Sequence, residues 1–363
     1  MIDRRDVLST PLSRRVVLQT FAATPFLVAA NRRPAVATGR VPIKAIHLNP
    51  LVTADRAGFD RLVDLIERTE LNALVLDVKE EAVYYDSAVP FYTDAGAVAP
   101  RYNLAALLDV LRQRDVYAIA RLVVFKDPLV AAARPDLAVL DTVTGGPWLD
   151  QSGATWLNPF AREVWEATVA LAVEAANLGF DEVQFDYVRL PSDGDLSTAD
   201  FGPDPVTPET RTAAIAGLLG LARERLVPTG ARIAADVFGY TLFVDTDLGI
   251  GQDSARLARL VDVLCPMVYP SHFPAGSLLL PGHPNDFPSE TIAISMDAGK
   301  TKLGGTARKL RPWLQDFSLP GMRAYGAEDL RAQIDAAEAG GAGGWMVWDP
   351  NNVYHETAFG PAD

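Results

Sequence analysis

Two aspartates carry the chemistry this chain is equipped for. Asp186 closes most of the run Gly179-Phe180-Asp181-Glu182-Val183-Gln184-Phe185-Asp186-Tyr187-Val188-Arg189-Leu190-Pro191, and Asp236 lies in Arg232-Ile233-Ala234-Ala235-Asp236-Val237-Phe238. In the first run Val183, Phe185 and Tyr187 alternate with Gln184 and Asp186, which is the two-residue period of a strand, and Pro191 stops it. One face of that strand is apolar. The other carries an amide and then a carboxylate, and an acid there is costly to bury unless something pairs or uses it. Two carboxylates facing across a sugar-sized cleft are the minimum equipment for breaking a glycosidic bond: one protonates the leaving oxygen, the other attacks or stabilises the cationic carbon. Arg189 is placed to hold Asp186 ionised as nucleophile, while Val237 and Phe238 would turn Asp236 into an acid. The roles can also be exchanged, and an aspartate at a strand end can equally cap a helix or pair with an arginine.

The elements that must position these groups follow from hydrophobic period. Apolar runs fall at Ile43 to Asn49, Ala73 to Lys79, Tyr117 to Phe125, the Asp186 stretch, Arg232 to Phe238, Val261 to Tyr269, Leu310 to Asp316 and Gly344 to Asp349. Between them lie helical patterns near Ala57 to Thr69, Leu104 to Arg114, Ala161 to Asn177, a segment ending at Leu226, Ile292 to Leu303 and Ala327 to Ala339. Eight strands alternating with helices predict an α/β fold, a (β/α)8 TIM barrel forming a single domain with loop insertions over residues 41–356. Polar residues recur at the C-terminal ends of all eight runs: Asn49, Asp77 with Lys79, Lys126 with Asp127, Asp186 with Arg189, Asp236, Tyr269, Gln315 with Asp316, and Asp349. A doubly wound sheet would gather its ligand groups at one switch point instead.

From this ring the expected substrate-binding residues are Asp77, Lys79, Arg121, Gln184, Arg189, Tyr269, Gln315, Asp316 and Trp348. Arg121 lies deep in its strand and reads also as a buried counter-charge for Asp77 or Asp186. Asp77 and Lys79 read also as an ion pair inside the ring. Trp148, Trp156, Tyr269, Trp313 and Trp348 suit stacking on sugar faces, although Trp313 and Trp345 fit the core equally well.

Other chemistries are excluded. His47, His272, His283 and His355 show no metal-ligand spacing, so neither a metal nor a cofactor is expected. No G-x-S-x-G elbow and no phosphate-cradling glycine loop follows a strand. Cys265 is the only cysteine, so no intrachain disulfide can form, and its apolar surroundings suit a packed thiol. A net charge of −13 over 363 residues disfavours nucleic acid and anionic membrane surfaces as partners. Residues 1–37 read as a cleaved twin-arginine export signal, with Arg14-Arg15, a weakly apolar stretch from Val16 to Ala30 and the small triplet Ala35-Val36-Ala37. The expected location is therefore periplasmic or extracellular, with no membrane insertion after cleavage.

Six ordered motifs also resemble a known family. They are Thr69 to Lys79, Ala120 to Pro128, Gly179 to Pro191, Ala235 to Gly239, Pro266 to His272 and Arg311 to Phe317. Together they resemble the bacterial "putative glycoside hydrolase domain" family, a largely uncharacterised group placed with alpha-amylase-like barrels, over nearly everything from Val41 to Glu356. The resemblance implies a (β/α)8 barrel acting on carbohydrate. In amylase-like relatives the nucleophile is an aspartate ending the fourth strand, which Asp186 matches. Their acid is usually a glutamate on the fifth strand, where this chain has Asp236. The segment Glu80 to Tyr85 lacks the glycine expected there. The resulting expectation is a glycoside hydrolase acting on a polysaccharide or oligosaccharide through paired carboxylates. The rival from another class is a non-catalytic carbohydrate-binding barrel of the cell envelope. A lyase or transglycosylase would use similar residues.

Overall fold

Eight strands, β1 (Ile43–Leu48), β2 (Ala73–Lys79), β3 (Tyr117–Val123), β4 (Glu182–Asp186), β5 (Arg232–Phe238), β6 (Val263–Met267), β7 (Trp313–Gln315) and β8 (Gly344–Trp348), pair in parallel and in chain order in the computed structural model, which describes residues 42–362. The ring closes where β1 pairs with β8, with Ile43 beside Gly344 and Ile46 beside Val347. This is the (β/α)8 TIM barrel that the alternation of runs predicts. Around it run α1 (Arg56–Arg68), α2 (Leu104–Gln113), α3 (Arg162–Leu178), α4 (Pro208–Leu226), α5 (Ser254–Leu257), α6 (Pro288–Leu303) and α7 (Ala327–Ala339), with short helices at Pro50–Ala54, Pro90–Asp94 and Pro128–Ala133 in the loops. The α5 turn had no periodic signal because it is a single turn, capped by the Asp253 side chain. Helix α6 runs through Gly299, where the missing side chain makes room for Leu310; a Cβ there would come within 2.6 Å of the leucine Cδ1.

Strand alternation divides the apolar residues into two cores. Leu74, Leu76, Val183, Phe185, Val237 and Leu314 face outward and pack under the helices. Ala45, Val75, Ile119, Ala234, Cys265, Trp313 and Met346 face inward and fill the barrel. The inward polar positions stack in layers along the axis, as barrel interiors do. At the N-terminal end Glu182 pairs with Arg311 and accepts a hydrogen bond from Tyr117. One layer higher, Gln184 donates to the sulfur of Met346 at 3.4 Å. Asp186 and Asp236 come next, at the C-terminal mouth.

Long loops build the walls of that mouth. A short antiparallel ribbon of Leu140–Asp141 and Ala199–Asp200 joins two of them. Trp148 is pinned beneath the second, its indole N–H donating to the Asp195 carbonyl at 2.9 Å. Gly194 makes this packing possible: its φ is +87°, and a Cβ would lie 2.7 Å from the Trp148 ring.

The export-signal expectation falls on residues 1–37, outside the described residues. Among the described residues, no helix is long and apolar enough to cross a membrane.

Candidate active site

Strands β4 and β5 are neighbours, with Gln184 beside Ala234 and Phe185 beside Ala235. Asp186 and Asp236 are the next residue of each strand, and both point into the barrel mouth. Their surroundings differ. Asp186 lines the open cleft. One of its oxygens accepts from Arg121 Nε at 3.0 Å and Nη2 at 2.5 Å, and the other from the Tyr187 backbone N–H at 2.6 Å. Asp236 lies beneath the cleft floor, 1% exposed, and among the described residues no cation forms an ion pair with it. Its Oδ1 accepts from the Trp313 indole N–H at 2.8 Å, and its Oδ2 has no hydrogen-bond partner among the described residues. Burial, reinforced by the charge of Asp186, pushes Asp236 well above the usual carboxylate range. One acid is thus paired with a cation and open to the cleft, while burial pushes its neighbour toward the protonated form.

A buried network holds Asp186 in place. Arg121 also donates to Asp77 at 2.6 Å, and Asp77 meets His47 Nε2 at 2.8 Å. Burial alone would disfavour the Arg121 charge, but Asp77 and Asp186 outweigh it and hold the guanidinium firmly protonated. The charges of His47 and Arg121 likewise overcome burial at Asp77 and keep it ionised. The His47 ring stacks on Trp348 with centroids 3.9 Å apart, and the Arg121 guanidinium lies over the same indole. Tyr187 follows Asp186 with φ at +49°, a conformation unusual for a residue with a side chain. That twist ends β4 and turns the tyrosine ring into the cleft wall.

The cleft has a volume of about 410 Å³, within the range of small-molecule sites. Tyr187, Phe238, Tyr240, Phe273, Trp313 and Trp348 supply its aromatic surface. His272 adds an imidazole whose pKa is lowered by burial.

Of the residues expected to touch substrate, Arg121, Arg189, Tyr269 and Trp348 line the cleft together with Asp186. The others are engaged elsewhere. Asp77 is sealed between His47 and Arg121. Lys79 pairs with Asp127 at 3.0 Å and donates to the Val123 carbonyl at 2.7 Å. Gln184 lies a layer too deep. Gln315 bridges loops by accepting from Ser271 N at 3.0 Å and donating to the Phe317 carbonyl at 2.9 Å. Asp316 holds the His355 ring at 2.6 Å and its backbone N–H at 2.8 Å. Asn49 and Asp127 cap short helices, and Asp349 accepts from the N–H groups of Asn351 and Val353.

Two further expectations are corrected. The cation beside Asp186 is Arg121, whereas Arg189 is packed among the rings of Trp156, Tyr187 and Phe238. Trp148 and Trp156 are 1% exposed and hold loops; the Trp156 indole donates to Asp150 at 3.0 Å. Neither offers a face to a sugar.

Sequence reasoning missed His47, Tyr187, Phe238, Tyr240 and Phe273 as parts of the site. Glu80, just past β2, does not line the cleft, and its carboxyl is pushed up by burial and by the charge of Asp77.

A (β/α)8 barrel with an aromatic cleft at its C-terminal mouth and two acids of opposite character on adjacent strands has the make-up of a glycosidase. The chain belongs to the "Putative glycosyl hydrolase domain" family, whose sequence model matches residues 45–354, and it is a glycoside hydrolase on that ground. The PgaB (BpsB) glycoside hydrolase domain from Bordetella bronchiseptica is similar with a TM-score of 0.65 at 15% identity, covering 88% of this chain and 99% of that one. A class V chitinase from Pseudomonas fluorescens Pf-5 gives 0.54 at 13% identity, over 88% and 98% of the two chains. A hypothetical protein from Ruminiclostridium thermocellum ATCC 27405 is 34% identical over 53% of this chain and 97% of its own, with a TM-score of 0.47. No curated protein matches the chain.

Proposed function

We propose that the protein hydrolyses glycosidic bonds in a polysaccharide or oligosaccharide, with Asp186 as the carboxylate that attacks or stabilises the cationic carbon and Asp236 as the acid. The contrast between the two carboxyls carries this reading. Asp186, open to the cleft and held by Arg121 and the Tyr187 N–H, is oriented before substrate arrives. Asp236, beneath the cleft floor, is forced toward its neutral form by burial beside another acid, the state a proton donor needs. Tyr240, Phe273 and Trp348 line the same cleft as Asp186 and give it an aromatic wall against which a sugar can pack. A non-catalytic binder would need the aromatic rings but not this division between two acids.

The test is release of reducing ends from a panel of glycans by the wild type and by Asp186→Asn. Wild-type release from at least one glycan, with the variant slower by about 100-fold or more, supports the assignment. Equal release by both removes Asp186 from the mechanism.

We also propose that the protein is exported, a reading supported by Arg14-Arg15, the apolar stretch after them and Ala35-Val36-Ala37. Replacing both arginines by lysine should leave the protein in the cytoplasmic fraction. Unchanged fractionation would remove the twin-arginine assignment.

A further inference from the structure

Arg189 lines the cleft and is 6% exposed. Among the described residues no carboxylate forms an ion pair with it. Its Nη1 donates to the Leu190 carbonyl at 3.0 Å and to Ser192 Oγ at 3.2 Å. The centroids of the Phe238, Trp156 and Tyr187 rings lie 4.6, 4.9 and 5.0 Å from the guanidinium carbon. These rings and the two acceptors fix the side chain. Its Nε–H and Nη2–H donate to no described residue, and neither nitrogen is among the sealed, unpartnered atoms of the barrel. They form the side-on edge of the guanidinium, two parallel donors in one plane, the geometry that matches the two oxygens of a carboxylate.

A buried cation with no counter-ion is destabilising unless function retains it. The aromatic rings offset part of that penalty through cation–π attraction, and burial still drags the Arg189 pKa down. The nearby acids are already engaged. Asp186 is held by Arg121, Asp150 by Lys126 at 2.9 Å and by Trp156, and Asp193 accepts from the Gln151 N–H at 3.0 Å. Asp193 lines the same cleft and weakens the local positive field without pairing to Arg189.

We propose that Arg189 is a specificity residue that binds a carboxylate carried by the substrate sugar, so that the glycan cleaved here contains uronic-acid-type units. This rests on the glycosidase reading of the same cleft and narrows its substrate class. The guanidinium sits beside Tyr187, the residue after Asp186, so a sugar carboxylate on Arg189 places that sugar next to the reacting carboxylate. The overall negative charge of the protein repels acidic glycans at long range, so recognition depends on this short-range fork rather than on steering.

The experiment is calorimetric titration of the full chain with galacturonate, guluronate and hyaluronan oligosaccharides. Each is paired with the same oligosaccharide after reduction of its carboxylates to primary alcohols, and inorganic sulfate is run alongside. The expected result is that at least one acidic oligosaccharide binds about 10-fold or more tightly than its reduced counterpart, the scale of a charge-assisted hydrogen-bonded contact. Arg189→Gln should bring that ratio close to one. Arg189→Lys should restore only part of it, because an ammonium lacks the side-on edge. If Arg189→Gln does not melt cooperatively, the wild-type pairs decide alone. Equal binding within every pair, tighter binding of the reduced forms, no binding by any acidic member, or sulfate competing as well as a uronate would each overturn the proposal. Release of reducing ends from neutral glycans by an enzyme showing no uronate preference would leave the glycosidase reading intact and remove only this one.

Discussion

The indole N–H of Trp313 donates to Oδ1 of Asp236 at 2.8 Å, and it is the only hydrogen bond that carboxyl receives among the described residues. That bond pulls the Asp236 pKa down while burial and Asp186 push it up. Trp313→Phe keeps a ring in the cleft wall and deletes the donor. The acid is then held protonated more firmly, and the alkaline limb of kcat/KM against pH should move to higher pH by up to about one unit. A limb that stays in place or moves down would show that Asp236 is not the group titrating there.

Asp236 should also set a trade between activity and stability. Its folded pKa is raised, so its favourable contribution is complete below the unfolded value of about 3.8 and is lost as pH rises toward the folded value. Asp236→Asn has no charge to bury. The variant should lose activity by about 100-fold or more, yet at pH 7 melt a few degrees above the wild type, with the gain shrinking in acid. Thermal melts at pH 4 and pH 7 check this.

Arg121 joins Asp77 to Asp186, so Arg121→Met strands two buried carboxylates at once. Breaking a buried pair by removing one partner costs about 3–5 kcal/mol, and urea denaturation should show a loss of at least that size. Activity should fall with it, since Asp186 is no longer held by the guanidinium. A loss of under about 1 kcal/mol would mean that the network contributes little to holding the barrel mouth.

Asp316 offers a pH effect away from the acids. Burial raises its pKa to about 6, against the opposing hydrogen bonds from His355. The sign follows from that increase: stability from the protonated form is present below about pH 4 and lost as pH rises through about 6. Urea melts from pH 4 to 7 should therefore show the wild type losing on the order of 3 kcal/mol relative to Asp316→Asn. A flat difference across that range would contradict the buried-acid description.

Much of this arrangement was legible because strand parity is local. Asp186 and Asp236 fall on inward positions of consecutive strands, so alternation alone brings them together at one end of the barrel. The sequence left two cations for Asp186, Arg189 three positions on and Arg121 deep in the preceding strand, and the choice between them depends on a backbone torsion and on strand register. Tyr187 adopts positive φ and ends the alternation there, and the Arg189 side chain packs among three rings. Arg121, one strand away, sits beside Gln184 in the register and extends upward to reach Asp186. His47 was invisible for another reason: only closure of β1 against β8 sets it on Trp348. Asp127 and Asp349 were counted in the ring of polar strand ends, but they cap a short helix and a turn, a role that residue type does not distinguish from binding.

The most direct measurement is kcat/KM on a glycan the wild type cleaves, for Asp186→Asn, Asp236→Asn and the double variant, each confirmed folded by a cooperative melt. Both single variants should lose about 100-fold or more, and the double should lose far less than the product of the two, as groups acting on one bond do. A folded single variant within about threefold of the wild type would contradict the pairing of Asp186 with Asp236 as the groups that break the glycosidic bond.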